Sequence, residues 1–189
     1  MFIQTEDTPN PAVLKFLPDQ PVIGTASPID FPNIDAAQAS PLAQALFGVA
    51  GVESVFLGSD FIAVGKAEAA AWAHLKPALL QAIMHHYVAG LPIMHETDAP
   101  PDTTHTEVED GPDAEIIALI KQILDTRVRP AVAQDGGDIV FHGYNDGIVS
   151  LHMRGACAGC PSATVTLQHG IENLLKHYVP SVTAVRAVM

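Results

Sequence analysis

Apolar residues recur along the chain with two different periods, and polar stretches separate the segments that carry them. AVLKFLP (12–18), VESVFLG (52–58) and DFIAVGK (60–66) have the composition of strands, and the turn-prone Gly58-Ser59-Asp60 between the last two predicts a hairpin. SPLAQALF opens with Ser40 as an N-cap and Pro41 at the first helical position, which predicts a short helix. From Glu68 to Val88 the apolar spacing is helical. Gly90 falls where a C-cap belongs, Pro92 lies just beyond, and Pro77 predicts a kink or a later helix start.

The helical period returns after residue 113. DAEIIALIKQILDTRVRPAV begins with Asp113 as a cap and gathers Ile116, Ile117, Ile120, Ile123 and Leu124 on one face, predicting an amphipathic helix that ends near Pro130. DIVFHGY and IVSLHMR alternate around Asn145-Asp146-Gly147, a strong hairpin signal. Pro161 then starts a helix of about five turns at 1.5 Å per residue, and SVTAVRAV closes an α-β-β-α-β unit. Helices on one face of a small sheet make both halves α+β. Between them, the Pro-, Thr- and acid-rich residues 95–112 are too poor in apolar side chains to fold alone and predict an extended, self-repelling linker. The expected organisation is a domain over 1–94, a linker over 95–112 and a second domain over 113–189.

With 189 residues, two small domains are the natural division. No window approaches the roughly 18 apolar residues of a membrane span, and the start, MFIQTEDTPNP, has neither secretory-signal nor transit-peptide character. A cytosolic bacterial protein is the simplest expectation, with a trimmed mitochondrial one as the other. The formal charge of -12 repels phosphate backbones and argues against nucleic acid as a partner. Residues 1–110 carry 14 acids and 3 bases, whereas 111–189 carry 7 acids and 6 bases, so the two halves present different surfaces.

The chain has two cysteines, Cys157 and Cys160, both within RGACAGCPSA (154–163). In the predicted layout they occupy the loop between a strand and a helix, where exposed N–H groups, the positive end of the helix dipole and Arg154 would lower thiol pKa values. Ala158 and Gly159 let the loop curl so that both sulfurs face one way, and Gly155 supplies a backbone conformation closed to other residues. Two thiolates complete neither a tetrahedral zinc site nor an iron–sulfur cluster, each of which usually takes four protein ligands. A two-fold axis between two copies of the loop would supply the other pair. Zinc binding and dithiol redox chemistry stay open beside a shared cluster. The redox reading makes the chain a thiol–disulfide oxidoreductase with Cys157 as nucleophile and Cys160 as resolving thiol.

RPAVAQDGGDI, RGACAGCPSATVTL and GIENLL together resemble the C-terminal domain of NifU-type iron–sulfur scaffold proteins over residues 113–188. MFIQTEDTPNP, LKFLP, SPLAQALF, GVESVFLGSDFIAVGK and WAHLKP resemble the amino-terminal domain of Nfu-type proteins. The resemblance implies a non-enzymatic scaffold and carrier. It further implies a homodimer through the C-terminal domain, bridged by a 4Fe-4S cluster, or a 2Fe-2S one, on Cys157 and Cys160. The cluster would come from upstream assembly proteins and pass to client apo-proteins, with no membrane partner.

Other conspicuous residues have plainer expectations. Gly136 and Gly137 read as a turn after a helix, with Asp138 either part of it or shaping a partner surface. His85 and His86 are adjacent and so point to different sides of a helix; with His142, His152 and His169 they read as solvated or core histidines. Phe47, Phe56, Phe61 and Trp72 read as the core of the first domain, and the TPNP segment (8–11) as turn chemistry.

Overall fold

The computed structural model describes residues 2–95, 113–158 and 161–188, and the predicted linker lies outside them apart from His95. The chain divides at Asp102–Thr103 into two compact units. Both are α+β. Among the described residues no helix is long and apolar enough to cross a membrane.

In the first unit, strands β1 (Gln4–Asp7), β2 (Val13–Leu17) and β3 (Ile29–Phe31) precede helix α1 (Pro41–Phe47), strands β4 (Val52–Leu57) and β5 (Ile62–Lys66), and helix α2 (Trp72–Val88). They form one sheet in the order β1-β2-β5-β4-β3 with every neighbour antiparallel. Alternate side chains of the central strands (Leu14, Phe16, Val55, Leu57, Ile62, Val64) bury against Leu42 and Leu46 of α1 and Leu75, Leu79 and Ile83 of α2. Ser40 caps α1 as expected, its Oγ accepting from Ala43 N at 3.1 Å and donating to Ile93 O at 2.7 Å. Pro77 lies inside α2, which begins at Trp72, four residues later than the periodic stretch, and Gly90 follows its end at φ +64°.

Two expectations need correction here. Phe56 and Phe61 are buried, but outside the main core: Phe56 alternates with Val55 and Leu57 onto the other sheet face, where its ring stacks on Phe61 at 5.9 Å and Lys15 Nζ sits 5.0 Å above Phe61. Phe47 and Trp72 border the helical core only partly buried, and the indole N–H of Trp72 donates to Pro11 O at 3.0 Å.

The two adjacent histidines do part, as their spacing requires: His85 is exposed, and His86 is 1% exposed with no hydrogen bond on either ring nitrogen. Burial holds the His86 pKa below 6.5, opposed in part by backbone groups of Leu91 and Pro92. A base with a depressed folded pKa binds more protons when unfolded, so its contribution is intact above pH 6.5 and shrinks as pH falls below that value. The urea midpoint of the first unit should therefore drop between pH 7.5 and 5.5. His86→Leu should flatten that slope; an unchanged slope would show that His86 does not set it.

The second unit runs α3 (Ala114–Ile123), a π-helical turn (Leu124–Val128), α4 (Arg129–Gln134), β6 (Gly137–Asn145), β7 (Ile148–Gly155), α5 (Pro161–Tyr178) and β8 (Ala184–Val188). Thus the single helix expected up to Pro130 is interrupted. Pro130 has no N–H and its ring would crowd the carbonyl four residues back. The backbone widens just before it, so that Arg129 N–H bonds Leu124 O five residues earlier. Asp113 occupies the N-cap position of α3 without a side-chain cap bond.

β6 and β7 form the antiparallel hairpin that Asn145-Asp146-Gly147 foretells, with φ +47° at Asp146 and +81° at Gly147, the signs of a type I′ turn. One irregularity breaks the ladder: between Phe141 and Gly143 the register shifts, and His142 is the extra residue. β8 adds parallel to β7. Ile117, Ile120, Ile123, Leu124, Val128 and Val132 pack with Ile171 and Leu175 of α5 against Ile139, Phe141, Val149, Leu151, Met153 and Val185 of the sheet.

Candidate functional site

The site is built at the end of β7. Gly155, at φ +59°, turns the chain out of the strand, and the next residues fold back on it through Cys157 N–H to Arg154 O (3.3 Å) and Ala158 N–H to Gly155 O (3.0 Å). Two further bonds tie this turn to its surroundings. Ala156 N–H donates to Gly136 O at 3.1 Å, and Thr164 Oγ in the first turn of α5 donates to Cys157 O at 3.1 Å. The cysteine loop is therefore held by the start of β6 on one side and by α5 on the other.

Cys157 faces inward from this turn. It is 6% exposed and packs with the apolar core rather than on the helix N-terminus. Burial, with Asp135 and then Asp138 adding negative charge, pushes its thiol up to about 12. The expectation of a lowered thiol pKa is thus not met at Cys157: desolvation of a thiolate outweighs the dipole of a helix that starts four residues later. Cys160 lies outside the described residues.

Beneath the sulfur is Gly137, paired across the hairpin with Gly155. A Cβ at this position would overlap Cys157 Sγ, and it would stand 2.8 Å from Arg154 O and 2.9 Å from Cys157 N. The Gly-Gly pair therefore divides its work. Gly136, at φ +80°, makes the expected turn, and Gly137 makes room for the cysteine.

The Asp138 side chain lies inside the unit rather than on its surface. It is 3% exposed, and Arg129 grips it with two parallel bonds, Nε to Oδ1 at 2.8 Å and Nη2 to Oδ2 at 3.0 Å. Arg129 Nη1 also donates to Asp125 Oδ1 at 3.0 Å. Arg129 opens the RPAVAQDGGDI stretch that contains Asp138, but nothing in the sequence pairs the two side chains, and Asp125 carries no signal of its own. The readable signal was the Arg-Pro step, which forces the widened turn and brings Asp125 and Arg129 onto one side of it.

The histidines of this unit do not join the cysteine. His142 and His169 are exposed, and His152 alternates away from the core residues Leu151 and Met153. Among the described residues no three His, Cys, Asp or Glu side chains lie together as metal ligands would.

Residues 3–90 match the family model described as the scaffold protein Nfu/NifU N-terminal domain, and residues 120–186 match the NifU-like domain. The chain belongs to the Nfu/NifU family. The NifU-like match contains Arg129, Gly137, Asp138 and Cys157. Among relatives, the "NFU1 iron-sulfur cluster scaffold homolog, mitochondrial" of Drosophila willistoni is 51% identical over 188 residues, covering 100% of this chain and 64% of the relative. The protein of the same name from Drosophila ananassae is 50% identical, with 64% of its length covered. The chain thus spans a little under two thirds of these relatives. The solution structure of a NifU-like protein from Saccharomyces cerevisiae aligns with 51% of this chain and 86% of its own, at 28% identity and a TM-score of 0.46.

Proposed function

We propose that the chain is a non-catalytic carrier whose cargo is an iron–sulfur cluster, bound by Cys157 and Cys160 of two copies of the second domain and passed to client apo-proteins. The observation that carries the reading is the seat of Cys157: a thiol at a strand-to-helix turn of a NifU-like domain, over a glycine whose missing Cβ leaves space for the sulfur. Thiolate sulfur is the donor that iron–sulfur clusters take. Half a ligand set per chain would make two copies necessary and the cargo easy to release. Four thiolates suit a 4Fe-4S cluster, with 2Fe-2S as the other cargo the same donors accept.

Transfer is ligand exchange. A client thiolate forms a new bond to an exposed iron as the bond from that iron to Cys157 or Cys160 breaks, the leaving thiolate takes a proton, and no electron changes hands. Before loading, the turn around Cys157 must bring its sulfur outward, since the thiol lies in the core. Upstream assembly proteins supply the cluster. The domain over 1–94 recognises clients or modulates release, and residues 95–112 tether it to the carrier domain. The names of the relatives support a mitochondrial location. The thiol–disulfide oxidoreductase reading needs the same outward movement of Cys157 as cluster loading does, and it differs in predicting activity of a single copy without iron.

Native mass spectrometry after anaerobic reconstitution with iron and sulfide tests the reading. The expected product is a dimer heavier by one 4Fe-4S unit, absent in Cys157→Ser. A monomer with no added mass, in conditions where a control scaffold loads, would overturn it.

A further inference from the structure

We infer that Arg129 and Asp138 are positioning residues for Cys157: their buried ion pair fixes the start of β6 as the floor on which the cysteine sulfur seats. The functional half of this inference rests on the carrier reading above; the structural half does not.

The Asp138 side chain is 4% exposed and that of Arg129 16%. A carboxylate this deep is strongly disfavoured without its cation, so Asp138 stays where the guanidinium holds it. The two parallel bonds fix orientation as well as distance, which a point charge would not. Arg129 is itself aimed from behind, because Asp125 takes its remaining terminal nitrogen from within the π-helical turn. The clamp thereby locks α4 to the first residues of β6.

Those residues are the ones that touch the cysteine loop. Asp138 pairs with Arg154 and Gly137 with Gly155 in the hairpin register. Gly136 O accepts from Ala156 N–H, and Gly137 underlies the sulfur. From guanidinium to thiol the path is Asp138, the backbone of Gly137, then Cys157 Sγ, with no solvent-exposed step. A buried ion pair contributes little net stability compared with an apolar pair of similar volume. What it does supply is a single geometry, and here the geometry it specifies is that of the thiol's seat.

The test starts on the apo full chain carrying Cys160→Ser, which leaves Cys157 as the sole thiol. Iodoacetamide alkylation rates are compared with urea midpoints for Arg129→Lys and for the double variant Arg129→Met/Asp138→Leu. Arg129→Lys keeps the charge and loses the fork; the double variant removes both charges together, so neither is stranded. The expected result is alkylation faster by about tenfold, equivalent to a loss of ~1.4 kcal/mol in seating, in both variants at midpoints near the parent's. Should the double variant fail to fold, Arg129→Lys decides alone. Alkylation at the parent rate, or rising only as far as global unfolding does, would overturn the inference. With Cys160 restored, cluster bound per dimer should fall in the same variants. A wild-type chain that takes up no cluster would sink the carrier reading and leave the alkylation result standing.

Discussion

Replacing Gly137 by alanine destabilises the second unit by about 3 kcal/mol, the upper part of the usual range for overpacking, and under the proposed carrier function it abolishes cluster loading. The added Cβ meets three neighbours at once. Cys157 Sγ can rotate away, but Arg154 O at 2.8 Å and Cys157 N at 2.9 Å are backbone atoms in a hydrogen-bonded turn and cannot. Relief must come from parting β6 and the cysteine loop, which breaks the Ala156–Gly136 bond and moves the thiol. Urea unfolding should show a lower midpoint at unchanged slope, and reconstitution should give no cluster-bearing species. A variant with the parent's midpoint and normal loading would show that the seat beneath Cys157 has slack.

Phe141→Ala has a comparable or larger effect on stability with a different cause. Phe141 is fully buried in the middle of β6, and Lys121 Nζ lies 5.5 Å from its ring centroid. Removing a buried aromatic ring costs about 3–5 kcal/mol, part lost transfer and part cavity. A domain of roughly 75 residues has on the order of 4–11 kcal/mol in all, so the variant should sit at the edge of unfolding. Hydrogen exchange reads this locally: the amides of β6, β7 and β8 should lose most of their protection. Protection within about tenfold of the parent's, a change of ~1.4 kcal/mol, would contradict the central place of Phe141 in this core.

Much of this architecture was legible in the amino-acid order. Ser40-Pro41 marked the start of α1, Asn145-Asp146-Gly147 the hairpin, and Pro161 the start of α5, because each signal acts within a few residues. What escaped was governed by partners distant in sequence. β1 (QTED) has no apolar residue and is a strand only because its backbone finds β2; β3 has three residues and leans on β4. Phe56 and Phe61 were readable as buried, but which sheet face they occupy depends on the register of β4, settled by pairing with β5. The same holds at the site. Two cysteines beside a helix-starting proline announce metal or redox chemistry, yet whether Cys157 faces water or core depends on Gly137, twenty positions earlier. The grip of Arg129 on Asp138 spans nine positions and a π-helical turn that no periodicity announces.

The extra residue at His142 has a consequence for the whole hairpin. Counted from the turn, Asn145 faces Ile148, Tyr144 faces Val149 and Gly143 faces Ser150; carried on unbroken, that count would set Gly137 opposite Ala156 and Asp138 opposite Gly155. Adding one exposed residue moves the far half by one place, so glycine meets glycine where the thiol needs room. It also changes parity: Ile139 and Phe141 bury with Met153 and Leu151, while Tyr144, at an even position, packs against the same core beside Val149. A strict two-residue repeat through the nine positions of β6 would have to choose between covering the core with Tyr144 and seating the cysteine. By changing frame at His142, the strand does both.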